Sequence, residues 1–168
     1  MSEIRKMDEK KLSDRYEVRP LRESDLEAIY ELSLGNTVFY EHHPPFVTRE
    51  SIREDMTALP PGRTPEDKHY VGFRDGERLV AIMDLVLGYP EENVAFIGLF
   101  MTDVSVQGRG VGSGILAECM AYLKECGFAK IRLGVDKGNP QSYSFWSRNG
   151  FRTDDTCEGK YIVMERDL

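Results

Sequence analysis

The longest buried-looking segment of the chain runs from Phe96 to Met101, and a glycine-rich turn and a long helical pattern follow it. Six residues are too few to cross a membrane but match the length of a buried strand. From residue 112 to residue 126, apolar positions recur at helical spacing, and Gly127-Phe128 is typical of a helix end. The pattern therefore predicts a strand, a turn and a helix in succession.

The same periodicities predict the rest of the fold. Strands are expected at 16–20, 68–74, 78–87, 96–101, 130–135, 151–157 and 161–166. Helices are expected after a capping box at Ser24–Glu27, after Thr48, over 112–126 and after Asn139. The segment 39–46 is expected to be a loop because Pro44 and Pro45 oppose regular structure. The sequence predicts one α+β domain, residues 15–168, with about seven strands and four helices, after a polar, frayed or loosely helical segment at 1–14.

Composition narrows the class of protein. The 168 residues fit one domain, and a net charge of -7 disfavours binding to nucleic-acid phosphates. Cys119, Cys126 and Cys157 are an odd number without metal-ligand spacing, which favours buried free thiols in a reducing compartment. Without an apolar leader or a long apolar run, the protein is expected to be cytoplasmic and to have no membrane partner.

The turn carries glycines at positions 108, 110 and 112, which allow close approach of a ligand to the backbone. The first turn of the following helix has free N–H groups that suit a phosphate. A dinucleotide fingerprint would need glycine where Ser113 stands, and a phosphate loop would need a lysine that is missing. The spacing that fits is Gln107-x-x-Gly110-x-Gly112.

A second motif runs from Asn139 through Phe145-Trp146 to Gly150-Phe151. Together with the glycine turn, in this order, it resembles the two motifs of the GCN5-related N-acetyltransferases (GNAT). The resemblance covers residues 16–166 and implies that the protein uses acetyl-CoA as a co-substrate and needs no metal.

The resemblance also implies where the cofactor binds. The central strand and the strand at 130–135 would splay apart, and the pantetheine arm would bond to the backbone between them. The pyrophosphate would lie on the N–H groups of residues 108–113, near Arg109. The implied cofactor-binding residues are Phe100, Met101, Thr102, Gln107, Gly108, Arg109, Gly110, Val111, Gly112, Ser113, Asn139 and Trp146.

Acyl transfer to an amine needs a base, a donor to the oxyanion and an acid for the leaving thiolate. The backbone N–H of Thr102 is a candidate oxyanion donor. Trp146 stands where related enzymes commonly have a tyrosine, and an indole cannot supply a proton usefully. Tyr143 on the same helix is one substitute, and solvent or the amine's own proton is the other. Trp146 is alternatively a core residue packed on Phe151.

The base is also open. Some relatives carry a glutamate where this chain has Gly134, so that role does not transfer. Asp84, in an otherwise apolar strand, is a candidate base or amine anchor, or else a carboxylate on a solvated face or paired with an arginine. Tyr40, His42 and His43 occupy the segment that often lines the acceptor pocket in the family, although two histidines in a polar loop are often bystanders.

These patterns predict an acetyl-CoA-dependent N-acetyltransferase that acts directly on a primary amine of a small molecule. The alternative is an acetyl-CoA-binding sensor that kept the cofactor site and lost the acid, with a Rossmann-type oxidoreductase as a distant third. The sequence leaves the acceptor and the oligomeric state open, and a homodimer is one candidate for the latter.

Overall fold

The computed structural model describes residues 6–168, without the side chains of residues 155–158. Seven strands in this range form one sheet in the order β1-β2-β3-β4-β5-β7-β6. The strands are β1 (Glu17–Pro20), β2 (Lys68–Asp75), β3 (Arg78–Leu87), β4 (Val94–Thr102), β5 (Lys130–Asp136), β6 (Arg152–Glu158) and β7 (Tyr161–Asp167). Only β4 and β5 pair in parallel, because a helix connects them, so the predicted α+β class is confirmed.

The described helices are α1 (Leu26–Leu34), α2 (Thr37–His42), α3 (Arg49–Thr57), α4 (Val111–Glu125) and α5 (Pro140–Arg148). Thr48 caps α3 by accepting a hydrogen bond from the Ser51 N–H, as predicted. The predicted end of α4 is also confirmed, since the N–H of Phe128 donates to the carbonyl of Leu123 and Gly127 has φ of 103°.

Two apolar clusters cover the two faces of the sheet. One lies under α4 and α5 and includes Met83, Ile97, Leu133 and Trp146. The other lies under α1 and α3 and includes Tyr70, Ile82 and Met101. We call the side under α1 and α3 the acceptor face and the side under α4 and α5 the cofactor face, for reasons given below.

Three local predictions are wrong. The segment 39–46 is not all loop, because α2 ends at His42, before the two prolines can interfere. The capping box does not form at Ser24: a 3₁₀ turn precedes α1, and the Asp25 carboxylate accepts a hydrogen bond from the Arg22 N–H. Glu27 instead bonds to Arg49.

The third correction concerns the N-terminal segment, where only the frayed alternative is wrong: its described residues 6–14 pack against the domain, and Glu9–Leu12 form a 3₁₀ helix. Leu12 is fully buried in the cluster under α4. Glu118 on α4 accepts hydrogen bonds from the Ser13 hydroxyl and from the N–H of Asp14, at 2.9 and 2.7 Å. Burial of Leu12 and the hydrogen bonds to Glu118 hold the segment in place despite its polar composition.

The thiols of Cys119 and Cys126 are free and buried, as predicted, and both lie on the inner side of α4. Burial raises the pKa of the Cys119 thiol, so this cysteine stays protonated. The side chain of Cys157 lies outside the described residues. Among the described helices, none combines the length and the apolar character that a bilayer span requires.

Candidate active site

The strands β4 and β5 share hydrogen bonds only over their first halves. Pairing runs from Val94–Lys130 to Ile97–Leu133 and then stops, although β4 continues to Thr102 and β5 to Asp136. Beyond this point β4 pairs only with β3 and β5 only with β7. The predicted splay is therefore confirmed, and we call the opening between the two strands the fork.

The backbone of β4 presents polar groups to the fork. The N–H of Asp103 donates to the carbonyl of Val80 on β3, and Thr102 lies opposite Ala81. Because backbone groups alternate along an antiparallel ladder, the N–H and C=O of Thr102 and of Phe100 point away from β3, toward the fork. The N–H and C=O of Met101 point to β3. Of the three residues predicted to bind the cofactor through their backbone, Met101 can therefore offer only its side chain.

A bulge in β4 lies at the apex of the fork. Asp84 pairs with Leu99 but Leu85 pairs with Ile97, which leaves Gly98 without a partner on β3. A Cβ at Gly98 would lie 2.9 Å from an oxygen of Asp84, so the position requires glycine. The bulge thus lets β4 turn away from β5 while accommodating a carboxylate.

The glycine turn leaves the first turn of α4 open. Gly110 caps α4 in a left-handed conformation with φ of 78°, and no side chain bonds to the helix end. The first bond within the helix runs from the N–H of Gly114 to the carbonyl of Gly110. The N–H groups of Val111, Gly112 and Ser113 therefore have no partner within the helix, as an anion site requires.

The other members of the turn lie at the surface. Gly108 has φ of 75°, and a Cβ there or at Gly110 would meet no atom within 4 Å. Arg109 is exposed beside them. Gln107 behaves differently, since its side-chain amide donates to the side chain of Asn36 at 2.8 Å and to the carbonyl of Thr102 at 3.1 Å. Gln107 thus holds the turn against β4, and its side chain does not face the helix end.

The helix α5 lines the cofactor face of the fork. Asn139 caps it by accepting a hydrogen bond from the Ser142 N–H, and its side chain is buried. The Trp146 ring is buried against those of Phe145 and Phe151, each 5.1 Å away, and Phe100 lies 6.2 Å away. Trp146 is therefore a core residue, which confirms that alternative.

Tyr143 lies one turn earlier on α5, and 41% of its surface is exposed. Tyr143 lies nearer than Trp146 to the start of α5, which follows the end of β5 at Asp136. Among the described residues of α5, it is the one that carries an acidic proton near this end.

On the acceptor face, Asp84 forms an ion pair with Lys68 and not with an arginine. The ammonium lies 3.0 Å from Oδ2 and also donates to the carbonyl of Ala58 at 2.7 Å. The other oxygen, Oδ1, is buried and has no hydrogen-bond partner in the described part of the chain. Burial raises the pKa of Asp84, although the Lys68 ammonium favours the charged carboxylate. The negative charge of Asp84 is therefore incompletely compensated.

Aromatic side chains surround this ion pair. Tyr70 lies opposite Asp84 on β2, and burial raises the pKa of its hydroxyl. Tyr40 on α2 packs against Phe39 and Phe46, at 4.9 and 5.1 Å between ring centres, and belongs to the same apolar cluster as Tyr70. The structure therefore brings Tyr40 and Asp84 to one side of the sheet, as predicted.

The short helix α2 bridges the fork. Before it, Asn36 donates from its side chain to the carbonyl of Thr102 at the end of β4, at 3.0 Å. After it, His43 Nδ1 lies 3.1 and 3.2 Å from the two carboxylate oxygens of Asp136 at the end of β5. His42, the last residue of α2, is half-buried and forms no such pair in the described chain.

Sequence reasoning missed Asn36, Lys68 and Asp136. The amide of Asn36 and the ammonium of Lys68 act through contacts distant in sequence, which no local pattern reveals. Asp136 had a usable signal, because a carboxylate directly after a buried strand lies at the edge where ligands bind in parallel pairs.

A family model and one curated protein match this sequence. The sequence model described as the Acetyltransferase (GNAT) family matches residues 26–151. Spermidine N(1)-acetyltransferase of Thermoplasma acidophilum is 33% identical over 58 residues. That match covers 34% of this chain and 35% of the relative, about a third of its length.

Solved structures share the fold. An acetyltransferase from Thermus thermophilus superposes with a TM-score of 0.77 at 24% identity, over 90% of this chain and 96% of that one. The PaiA N-acetyltransferase of Thermoplasma acidophilum, in complex with coenzyme A, superposes with a TM-score of 0.69 at 23% identity, over 90% and 98%. With the family match over well over half of the sequence, the chain belongs to the GNAT family of acetyltransferases.

Proposed function

We propose that this protein transfers the acetyl group of acetyl-CoA directly to a primary amine of a small cationic molecule in the cytoplasm. The observation that carries the proposal is the fork, where two parallel strands separate beside helix N–H groups that have no partner within the helix. Such a fork accepts an extended chain that bonds to the strand edge, while the helix end accepts an anion. A pantetheine arm with a pyrophosphate at one end has both properties.

The length of α2 is compatible with an inserted chain. Seven residue steps of nearly helical backbone separate Asn36 from His43, which is a rise of about 10 Å. Two strand spacings of about 4.8 Å each add to a similar distance.

The chemistry then divides between the two faces of the sheet. With the arm in the fork, the thioester lies beside Phe100 and Thr102, and the N–H of Thr102 is placed to stabilise the oxyanion. Tyr143, from the cofactor face, donates a proton to the leaving thiolate. The acceptor enters from the other face, where Asp84 attracts its ammonium group. Cys119 and Cys126 are buried under α4, away from this path, so transfer needs no acetylated form of either cysteine.

A cationic acceptor follows from the charges on this face. Asp84 keeps a buried, unpartnered oxygen after pairing with Lys68. Tyr40 and Tyr70 add aromatic surfaces, which favour ammonium groups. The relative named as a spermidine acetyltransferase, although matched over only 58 residues, is consistent with an acceptor that carries more than one amine. Spermidine is therefore the first amine to test.

The first test places a negative charge at the proposed anion site. Acetyl-CoA at a hundred times its Kd should stabilise the protein by about 2.7 kcal/mol through mass action, measured as a rise in Tm. Ser113→Glu should abolish this rise because its carboxylate would repel the pyrophosphate. The free variant should stay folded, since an acidic side chain in the first turn of α4 favours the helix. Ser113→Ala is the matched control and should keep the rise. Full stabilisation of Ser113→Glu would contradict the site.

A second test concerns Asp84. In Asp84→Asn, the KM for spermidine should rise about tenfold or more, because a charged hydrogen bond is worth about 1.5–3 kcal/mol, while the Kd of acetyl-CoA stays within about twofold. The variant should also lose stability, since the Lys68 ammonium stays buried without its partner. The double variant Lys68→Met/Asp84→Asn removes both charges and separates the two effects.

The control for this test is Asp25→Asn, which breaks the ion pair of Asp25 with Arg74 away from the fork. It should lower stability and leave the KM for spermidine unchanged. If the folded double variant binds spermidine as well as the wild type does, Asp84 is only a structural ion pair.

A third test concerns the acid. Tyr143→Phe should lower kcat by about 10²–10⁴, because a positioned acid contributes a factor of that size, and it should remove the high-pH limb of the kcat profile. Stability should change little, since the side chain is exposed.

A loss of kcat below about threefold in Tyr143→Phe would exclude Tyr143 as the acid. In that case Trp146→Tyr shows whether the site lacks an acid. Binding of acetyl-CoA without amine-dependent release of the thiol would instead favour the sensor.

A further inference from the structure

A histidine and a buried carboxylate meet where α2 reaches β5. Only 7% of the Asp136 side chain is exposed, against 34% of the His43 side chain. Both carboxylate oxygens face the same ring nitrogen, Nδ1, at 3.1 and 3.2 Å. With the proton on Nδ1 directed to Asp136, the other nitrogen, Nε2, keeps its lone pair and lies on the side of the ring away from Asp136.

The pair lies on the acceptor face of the fork. Along β5, the side chains of Leu133 and Val135 belong to the cluster on the cofactor face, so that of Asp136 points to the other side. Asp136 lies three residues, about 10 Å, beyond Leu133, the last residue of β5 that pairs with β4. On β4, Phe100 is also three residues beyond the residue that pairs with Leu133. His43 is thus held by Asp136 on the side of the fork from which the amine enters.

Several elements surround the imidazole. The Phe39 ring on α2 and the Tyr161 ring on β7 lie 5.2 and 6.2 Å from it. The titratable or charged groups that face it are Asp136 on β5, Tyr161 on β7, Asp55 on α3 and, over the Tyr161 ring, Lys160. Of these groups, Asp136 bonds to the ring nitrogen Nδ1.

We propose that His43 is the general base of the acetyl transfer and that Asp136 is its positioning residue. The proposal rests on the proposed function. The acceptor arrives as an ammonium, and Nε2 of His43 takes one of its three protons. The neutral nitrogen then attacks the thioester carbon, and a C–N bond forms while the C–S bond breaks. The thiolate leaves with the electron pair and receives the proton of the Tyr143 hydroxyl, which the second proton of the amine replaces. The third stays on the amide, and the imidazolium returns its proton to solvent.

The position of the base explains why Asp84 is better suited to anchor the amine. Its Oδ2 is already bound to the Lys68 ammonium, which holds the carboxylate in place as a fixed negative charge. The Nε2 of His43 can accept a proton without displacing a bound cation. One group therefore attracts the charge of the acceptor and the other removes the proton.

The test compares His43→Ala with the wild type and with a matched control, His69→Ala. His69 is also paired with a carboxylate, Glu9 at 2.8 Å, but it lies on β2 next to the N-terminal segment. With acetyl-CoA and spermidine, kcat/KM of His43→Ala should fall by about 10²–10⁴ and lose its acidic limb. Added imidazole should restore part of the rate to His43→Ala alone. The control should keep the rate and the pH profile of the wild type.

Asp136→Asn tests the positioning role. The ring of His43 remains in this variant, so kcat should fall while the KM for spermidine is unchanged and added imidazole restores nothing. Where His43→Ala does not fold, His43→Gln takes its place, since its amide can still donate to Asp136 but cannot accept the proton.

The outcomes separate this inference from the function on which it rests. If the wild type neither binds acetyl-CoA nor acetylates spermidine or another amine, both fail. If the wild type is active and folded His43→Ala keeps its rate within about threefold with an unchanged pH profile, the function stands and the base is not His43. Equal losses in His43→Ala and His69→Ala would also overturn the proposal.

Discussion

The site depends on hydrogen bonds that two neighbouring strands do not make. A buried strand edge normally pairs, because unpaired backbone groups away from water cost free energy. Here β4 and β5 pair as far as Ile97 and Leu133 and then separate, while each keeps its other neighbour. The free edge is tolerated when it opens to solvent or to a ligand. A molecule with an extended amide-containing arm satisfies the same groups that a strand would satisfy.

The surrounding elements hold the fork open. The bulge at Gly98 turns β4 away, and the packed rings of Phe145, Trp146 and Phe151 support it on the cofactor face. On the other face, α2 is anchored at both ends, by Asn36 to β4 and by His43 to β5. The same contacts that fix the geometry therefore bring titratable groups to the opening. Asp136, for example, anchors α2 and also holds the histidine that we propose as the base.

The sequence predicted the elements whose signal is local. Alternation and helical periodicity located β3, β4 and α4 within about two residues, and Gly127-Phe128 located the end of α4. The two motifs predicted the splay and the open end of α4. The helix α2 was missed because Pro44 and Pro45, which follow it, led to the prediction of a loop. Lys68 and Asp136 were missed because their partners are 16 and 93 residues away. The ion pairs follow from tertiary contacts, which no local pattern encodes, although the place of Asp136 at the end of a buried strand was a local signal of a site.

The central claim is that the arm of acetyl-CoA bonds to the edge of β4 inside the fork. Amide hydrogen exchange, resolved by residue with NMR, tests it most directly. The N–H groups of Phe100 and Thr102 face the fork and should gain protection when acetyl-CoA is added. The N–H of Met101 bonds to β3 already and should change far less. Binding of acetyl-CoA without added protection at Phe100 and Thr102 would contradict the account.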